Sequence, residues 1–290
     1  MNFLAVLLAL AAERLVPHGL GFGQPLLLRA ILRTLDKVRP GALLARSAAL
    51  PWLLTVLAVA ATAFVQSLLP GLFLQGLFGG LVLFLCLGPR DLADDVQALL
   101  AARAAGDQPE VARLARRLQH GPDPEASHRS LLGALFIQSH ERLFGVLLWF
   151  VAVGPAGAVF YRVASRLPAQ VDALEPQTAA ANAAAQLHGL AAWLPVRLCA
   201  ALFALAGSMD DALAAWRRVG ELDYQHSWRS HSWAVLAEVA SGALAAEEAD
   251  GSRVVAPNLE SALREVLRMQ TRALLILLAG FAVFTTGTLL

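Results

Sequence analysis

From Ser47 to Leu69 the chain carries no charged residue over 23 positions, and after Pro70-Gly71 a second uncharged run extends from Leu72 to Leu87. A helix rises about 1.5 Å per residue, so about 20 apolar residues match the hydrocarbon thickness of a bilayer. The Pro-Gly pair is a turn signal, and the two runs predict a helical hairpin across a membrane. Gln66, Ser67 and Gln75 are the notably polar groups beside the turn, which keeps this connection at one surface.

The rest of the 290 residues agrees with that environment. Hydrophobic residues make up 57% and charged residues 16%, against about 25% charge in a soluble domain. Mean hydropathy is +0.58. The fold class expected is all-α, a polytopic helical membrane protein whose first partner is the lipid bilayer. With 23 basic and 22 acidic residues there is no global field, so nucleic acid is not an expected partner. Cys86 and Cys199 lie inside apolar stretches without metal-ligand spacing and read as small buried hydrophobes.

Further candidate spans are less clean. Residues 1–16 are apolar only as far as Glu13 and Arg14, short of a full crossing; no positive residue precedes the run, so it reads as part of the mature chain and not as a signal peptide. Residues 131–153 are interrupted by Ser139, His140, Glu141 and Arg142, and Gly154-Pro155 follows. Residues 187–206 contain Arg197, and residues 273–290 are uncharged at minimum spanning length. The intervening segments 89–130 and 207–272 carry mixed charge at helical spacing. They read as cytoplasmic or interfacial helical insertions in a single membrane domain, with separate helices expected around residues 211–219, 232–244 and 257–272. Arginines cluster at 29–46, 90–129 and up to Arg272, which places those connections in the cytoplasm and the C-terminus outside.

Ionisable residues inside apolar stretches are the natural functional candidates, because a charge in hydrocarbon costs about 2.5–3.5 kcal/mol or more. His140, Glu141 and Arg142 form the densest such cluster, and His140 has the chemistry of a switch near neutral pH. Glu13, Arg14, Arg162 and Arg197 end or interrupt other runs, and an interior network of Glu13 or Glu141 with Arg162 or Arg197 is expected. Such a network serves either as structural pairing or as a site for an anionic small ligand, for which guanidinium groups are suited.

The two His-Ser-Trp triplets at His226 and His231 stand five apart, which does not fit a helical metal pair, so no metal site is expected. Their tryptophans instead suit a membrane interface. Asp91, Asp94 and Asp95 read as a solvated first helical turn after Pro89. No phosphate-binding glycine loop, nucleophile elbow or zinc-protease motif occurs.

Several segments together resemble a known family. Glu13-Arg14-Leu15, Leu147-Leu148-Trp149-Phe150 before Gly154-Pro155, Trp193-Leu-Pro-Val-Arg-Leu198 and Ala204-Leu-Ala-Gly207 occur in the order of the AmpE proteins. The resemblance runs from about residue 10 to the last span. It implies a multi-pass protein of the bacterial inner membrane, linked to regulation of β-lactamase induction and cell-wall recycling, with a cell-wall fragment as a conceivable anionic ligand and no cofactor.

AmpE proteins are similar in turn to the CobD/CbiB membrane synthetases of cobalamin biosynthesis. That likeness implies a shared fold and, as the alternative reading, ATP- and Mg2+-dependent amide formation. This chain departs from the synthetase motifs: where they carry Gly-Asp-Pro, Ala-Glu-Asn and the Asn-Thr-Leu-Asp that follows a Tyr-Arg position, it reads Val16-Pro17-His18, Ser139-His140-Glu141-Arg142 and, after Tyr161-Arg162, Val163-Ala164-Ser165-Arg166. Mg2+ sites need carboxylates, and these positions hold mostly neutral or basic groups.

Overall fold

A computed structural model describes residues 2–15, 47–87, 92–119, 128–172, 178–221, 228–244, 246–247, 253–254 and 258–287. In chain order the helices are α1 (Asn2–Leu15), α2 (Ala49–Leu68), α3 (Gly71–Leu87), α4 (Leu92–Ala104), α5 (Gln108–Leu118) and α6 (His128–Ser139). A π-helical turn (His140–Phe144) joins α6 to α7 (Gly145–Val153). Then come α8 (Pro155–Asp172), α9 (Ala179–Ala206), α10 (Met209–Glu221), α11 (Trp228–Ala243) and α12 (Leu259–Gly287). A two-residue antiparallel pairing, Ala246–Glu247 with Arg253–Val254, is the only strand structure among the described residues.

Among the described residues five helical stretches are long and apolar enough to cross a membrane: Ala49–Leu68, a stretch within Gly71–Ala104, Leu131–Val153, Ala179–Ala206 and Leu259–Val283. α1, with 14 residues, is too short to be among them. Two boundaries differ from the sequence reading. The Ala-rich stretch and the Trp193-Leu-Pro-Val-Arg segment form one 28-residue helix that runs through Pro195. The arginine-bearing stretch before Ala273 and the apolar tail form one 29-residue helix, α12, capped where the Asn258 side-chain carbonyl accepts from the Ser261 N–H at 2.8 Å. In both, alanine and leucine favour helix on either side of the change in polarity, so polarity changes while the backbone does not.

The chain divides into two compact units. The first comprises Met1–Pro89, Gly145–Pro195 and Ser227–Arg229; the second comprises Arg90–Phe144, Val196–His226 and Ser230–Leu290.

In the first unit, α1 packs on α3, and α8 packs on α2, α3 and α7. The half of the α2–α3 hairpin nearest its turn is bare: Leu57 is 63% exposed, Phe64 63%, Leu72 70% and Phe73 75%. Each such side chain left in water forgoes about 1.5–3 kcal/mol, whereas acyl chains solvate them without loss. The chain is a membrane protein with several spans, and this surface meets lipid.

α7 and α8 approach closely because Gly145 and Gly157 lack side chains. A Cβ on Gly145 would strike the ring of Tyr161, and one on Gly157 would strike the carbonyl oxygen of Trp149.

Proline inside α9 raises a specific problem. Pro195 has no N–H to give to the carbonyl of Ala191 four residues earlier, and lipid offers no water in its place. The indole Nε1–H of Trp149 donates to that carbonyl oxygen at 2.9 Å, and its ring packs edge-on against Phe160 with centroids 4.7 Å apart.

Trp149→Phe should therefore destabilise the protein by about 1–3 kcal/mol, the usual cost of an orphaned buried acceptor. In a Pro195→Ala background, where the helix N–H is restored, the loss should shrink. Unfolding in mixed micelles measures both, and equal losses in the two backgrounds would refute the assignment.

Candidate functional site

The sequence candidates fall into both units, and each group has its own setting. In the first unit Glu13 and Arg14 stand in the last turn of α1; their side chains lie outside the description. Tyr161 and Arg162 sit side by side on α8. The Tyr161 ring is fully buried, against Gly145 on one side and edge-on to His188 of α9 at a centroid distance of 6.1 Å. Arg162 Nη2 donates to the carbonyl oxygen of Leu87, the last residue of α3, at 2.8 Å. A helix leaves its final carbonyls without intrahelical partners, and a guanidinium there meets both the orphan oxygen and the negative end of the dipole.

In the second unit the densest polar arrangement is built on the π-helical turn that contains His140, Glu141 and Arg142. One extra residue per turn shifts the register of side chains, and such turns are frequent at functional sites. Arg142 Nη1 pairs with Asp95 of α4 at 2.8 Å, and its Nε donates to the Gln138 side-chain carbonyl at 3.0 Å. One turn away Ser139 donates to the side-chain carbonyl of Gln270 on α12 at 3.0 Å. His140 is completely buried and Glu141 is half-buried. Polar groups from α4, α6, the π turn and α12 thus converge within one unit. Among the described residues no three His, Cys, Asp or Glu side chains are grouped to hold a metal ion.

Asp95 corrects the sequence reading. It lies in the first turn of α4 as expected, but it is not solvated: its side chain is 7% exposed and that of Arg142 is 21% exposed. The signal was present, because Asp95 shares its helix face with the buried Leu92, Val96, Leu99 and Ala102. An acid on an apolar stripe calls for a basic partner. Gln138 and Gln270, equally missed, carry no comparable mark, being uncharged residues in long helices. His188 falls on the buried face of α9 with Ala184, Leu187 and Ala191, which made it indistinguishable from core by spacing.

Arg197, half-buried on α9, stands near His231 of α11. Burial first, and the Arg197 charge second, hold the His231 imidazole below its ordinary pKa.

Two measurements follow. Arg142→Met leaves Asp95 as a buried unpaired carboxylate and should cost about 3 kcal/mol; adding Asp95→Asn should recover part of that loss, and strict additivity would exclude a direct pair. For His231 the folded protein resists a proton that the unfolded chain accepts. Its contribution to stability is therefore complete above the ordinary histidine pKa of about 6.5 and declines as pH falls below it. His231→Gln should flatten that part of the profile in thermal melts between about pH 7.5 and 5.5, a window set by the same reference value; an unchanged profile would remove His231 as its source.

Comparison with known proteins places this geometry in context. The family described as "Regulatory signalling modulator protein AmpE" matches residues 1–289. Among curated proteins, the cobalamin biosynthesis protein CobD of Stutzerimonas stutzeri (strain A1501) is 30% identical over 199 residues, 67% of this chain and 63% of its own length. The protein of the same name from Chromobacterium violaceum is 27% identical over 244 residues, 80% of this chain and 75% of its own. The chain thus spans less than two thirds of the first relative and three quarters of the second. No solved structure matches.

Proposed function

The chain belongs to the AmpE family of regulatory signalling proteins, and from that premise we propose that it acts in the bacterial inner membrane as a regulator of β-lactamase induction and cell-wall recycling, without ligase chemistry. The observation that carries this reading is the family match along nearly the whole chain. An inner-membrane address accords with apolar helical spans, since outer-membrane proteins span as closed barrels. The polar convergence around the π turn supplies what regulation needs, a buried charged element tied to two other helices whose arrangement a bound anion would bias. An anionic cell-wall fragment has the charge that the arginine-bearing helices complement.

The alternative, implied by the likeness of AmpE proteins to the CobD/CbiB synthetases, is amide synthesis with ATP and Mg2+. Mg2+ is bound through carboxylates together with substrate phosphates. Among the described residues no three His, Cys, Asp or Glu side chains are grouped to hold a metal, and Asp95 is engaged by Arg142.

Deleting the gene in its own host should change the β-lactamase activity reached after exposure to a β-lactam inducer, and complementation should restore it. An unchanged induction curve would sink the regulatory role. Turnover of ATP with an aminoalcohol and a corrinoid carboxylate by the purified protein, abolished by Glu141→Gln without loss of folding, would establish the synthetase instead.

A further inference from the structure

The helix Leu131–Val153 has the length and composition of a span, yet the packing of the first unit says that its second half does not complete a crossing. We propose that α7 and α8 form a re-entrant hairpin, which turns at Gly154-Pro155 halfway through the bilayer and returns to the face from which it came.

The depth comes from α3, an uncharged helix of 17 residues, about 25 Å long at the standard rise. Gly79 is its middle residue. A Cβ at Gly79 would lie 3.3 Å from the Pro155 ring and 3.7 Å from the Phe150 ring. The turn between α7 and α8 therefore sits beside the midpoint of α3 and not beside either end.

The return is equally marked. Arg162, seven residues after Pro155, bonds to Leu87, eight residues after Gly79. α8 thus runs alongside α3 in the same direction, from mid-depth to the end of its apolar run. On the other arm Gly145 lies against Tyr161, so the start of α7 is level with the same boundary.

The lengths agree. α7 has 9 residues, about 14 Å, and the apolar part of α8, from Pro155 to Tyr161, is about 10 Å long. Each arm matches roughly one leaflet of a hydrocarbon core about 30 Å thick. Beyond Tyr161 the helix carries Arg162, Arg166 and Asp172, which continue out of the hydrocarbon.

A turn at that depth is tolerated only where protein covers it and its backbone is paired. Gly154 and Pro155 are both buried. The Gly154 N–H donates to Phe150 at 2.7 Å, and the Gly154 carbonyl accepts from Gly157 at 3.0 Å and Ala158 at 3.2 Å. Gly154 takes φ +79°, a conformation open to glycine at little cost, and Pro155 has no N–H to satisfy.

The hairpin also explains why the α2–α3 pair is covered near Leu50, Thr55, Leu83 and Leu87 but bare near its own turn: the re-entrant arms reach only half its height. The polar end of α8 faces the side on which α3 ends. By the distribution of arginine that side is the cytoplasm.

Spin labels measure this directly in the full-length protein reconstituted in nanodiscs. Val153 is 57% exposed next to the turn, so a label there is accommodated. Its oxygen-to-nickel accessibility should equal that of labels at Leu57 and Leu77, near the middles of α2 and α3, and indicate greater depth than labels at Leu72 and Asp172. In oriented vesicles, Pro70→Cys and Asp172→Cys should react with an impermeant thiol reagent from opposite faces, against a wild-type blank in which Cys86 and Cys199 are buried. A Val153 label as shallow as Leu72 would mean a complete crossing, and one as shallow as Asp172 a hairpin lying on the surface. Labelling of positions 70 and 172 from the same face would likewise overturn the proposal.

Discussion

A backbone carbonyl that loses its helical donor inside a bilayer has no water to turn to, and the first unit depends on how that need is met. Three open helical oxygens, one within a span and two at helix ends, are served by side chains distant in sequence or across a turn. Trp149 serves the Ala191 carbonyl that Pro195 leaves open, Arg162 serves Leu87 at the end of α3, and Gln75 Nε2 donates to Leu69 at the end of α2 at 3.1 Å. An unmet polar group in hydrocarbon costs several kcal/mol, more than the dispersion gained by any single apolar contact there. Because apolar side chains gain little from one another when lipid is equally apolar, these polar closures fix how α3, α7, α8 and α9 meet within the unit. Glycines at 145 and 157 then let α7 and α8 approach to the distance the closures require.

The second unit answers a different demand, that of charge. Arg142 arrives on a π-helical turn, is held by Gln138 four residues earlier on its own helix, and reaches Asp95 from there. Neither member of this pair is tolerated alone away from water. A buried pair contributes little net stability compared with apolar packing, but it fixes one arrangement and penalises others. That is the property a switching element needs, and it sets this pair apart from the exposed ladder on α12, where Glu260 meets Arg264 and Glu265 meets Arg268 and Arg272. Exposed pairs of that kind are worth only about 0–1 kcal/mol each and leave the helix free to be solvated.

What could be read from sequence divides along the same line. The α2–α3 hairpin was legible because absence of charge over a bilayer's length is a local property, as was the interruption at residues 139–142. Continuity was less so: Pro195 and the step from Arg272 to Ala273 look like boundaries, but a helix persists where partners elsewhere repair its backbone or where only polarity changes. Asp95 was misplaced because a first-turn acid after proline has a sufficient local explanation, and its burial depends on Arg142, 47 residues away. Gln138 and Gln270 could not be found at all, since an uncharged amide in a helix does not announce its partner. Local chemistry was visible, and pairing at long range was not.

The segments by which the chain resembles its family bear on what that family membership means. Trp149 belongs to one of them and Pro195 to another, and the structure joins the two as donor and as cause of the open acceptor. Gly154-Pro155, a third, is the turn packed beside the middle of α3. These residues answer to the backbone's need for partners in lipid, and any relative that keeps the fold must meet the same need whatever reaction or signal it serves. Similarity resting on them conveys architecture before chemistry. Likeness to proteins named for cobalamin biosynthesis is thus compatible with a chain whose distinguishing polar feature, among the described residues, is an arginine–aspartate pair on a π turn.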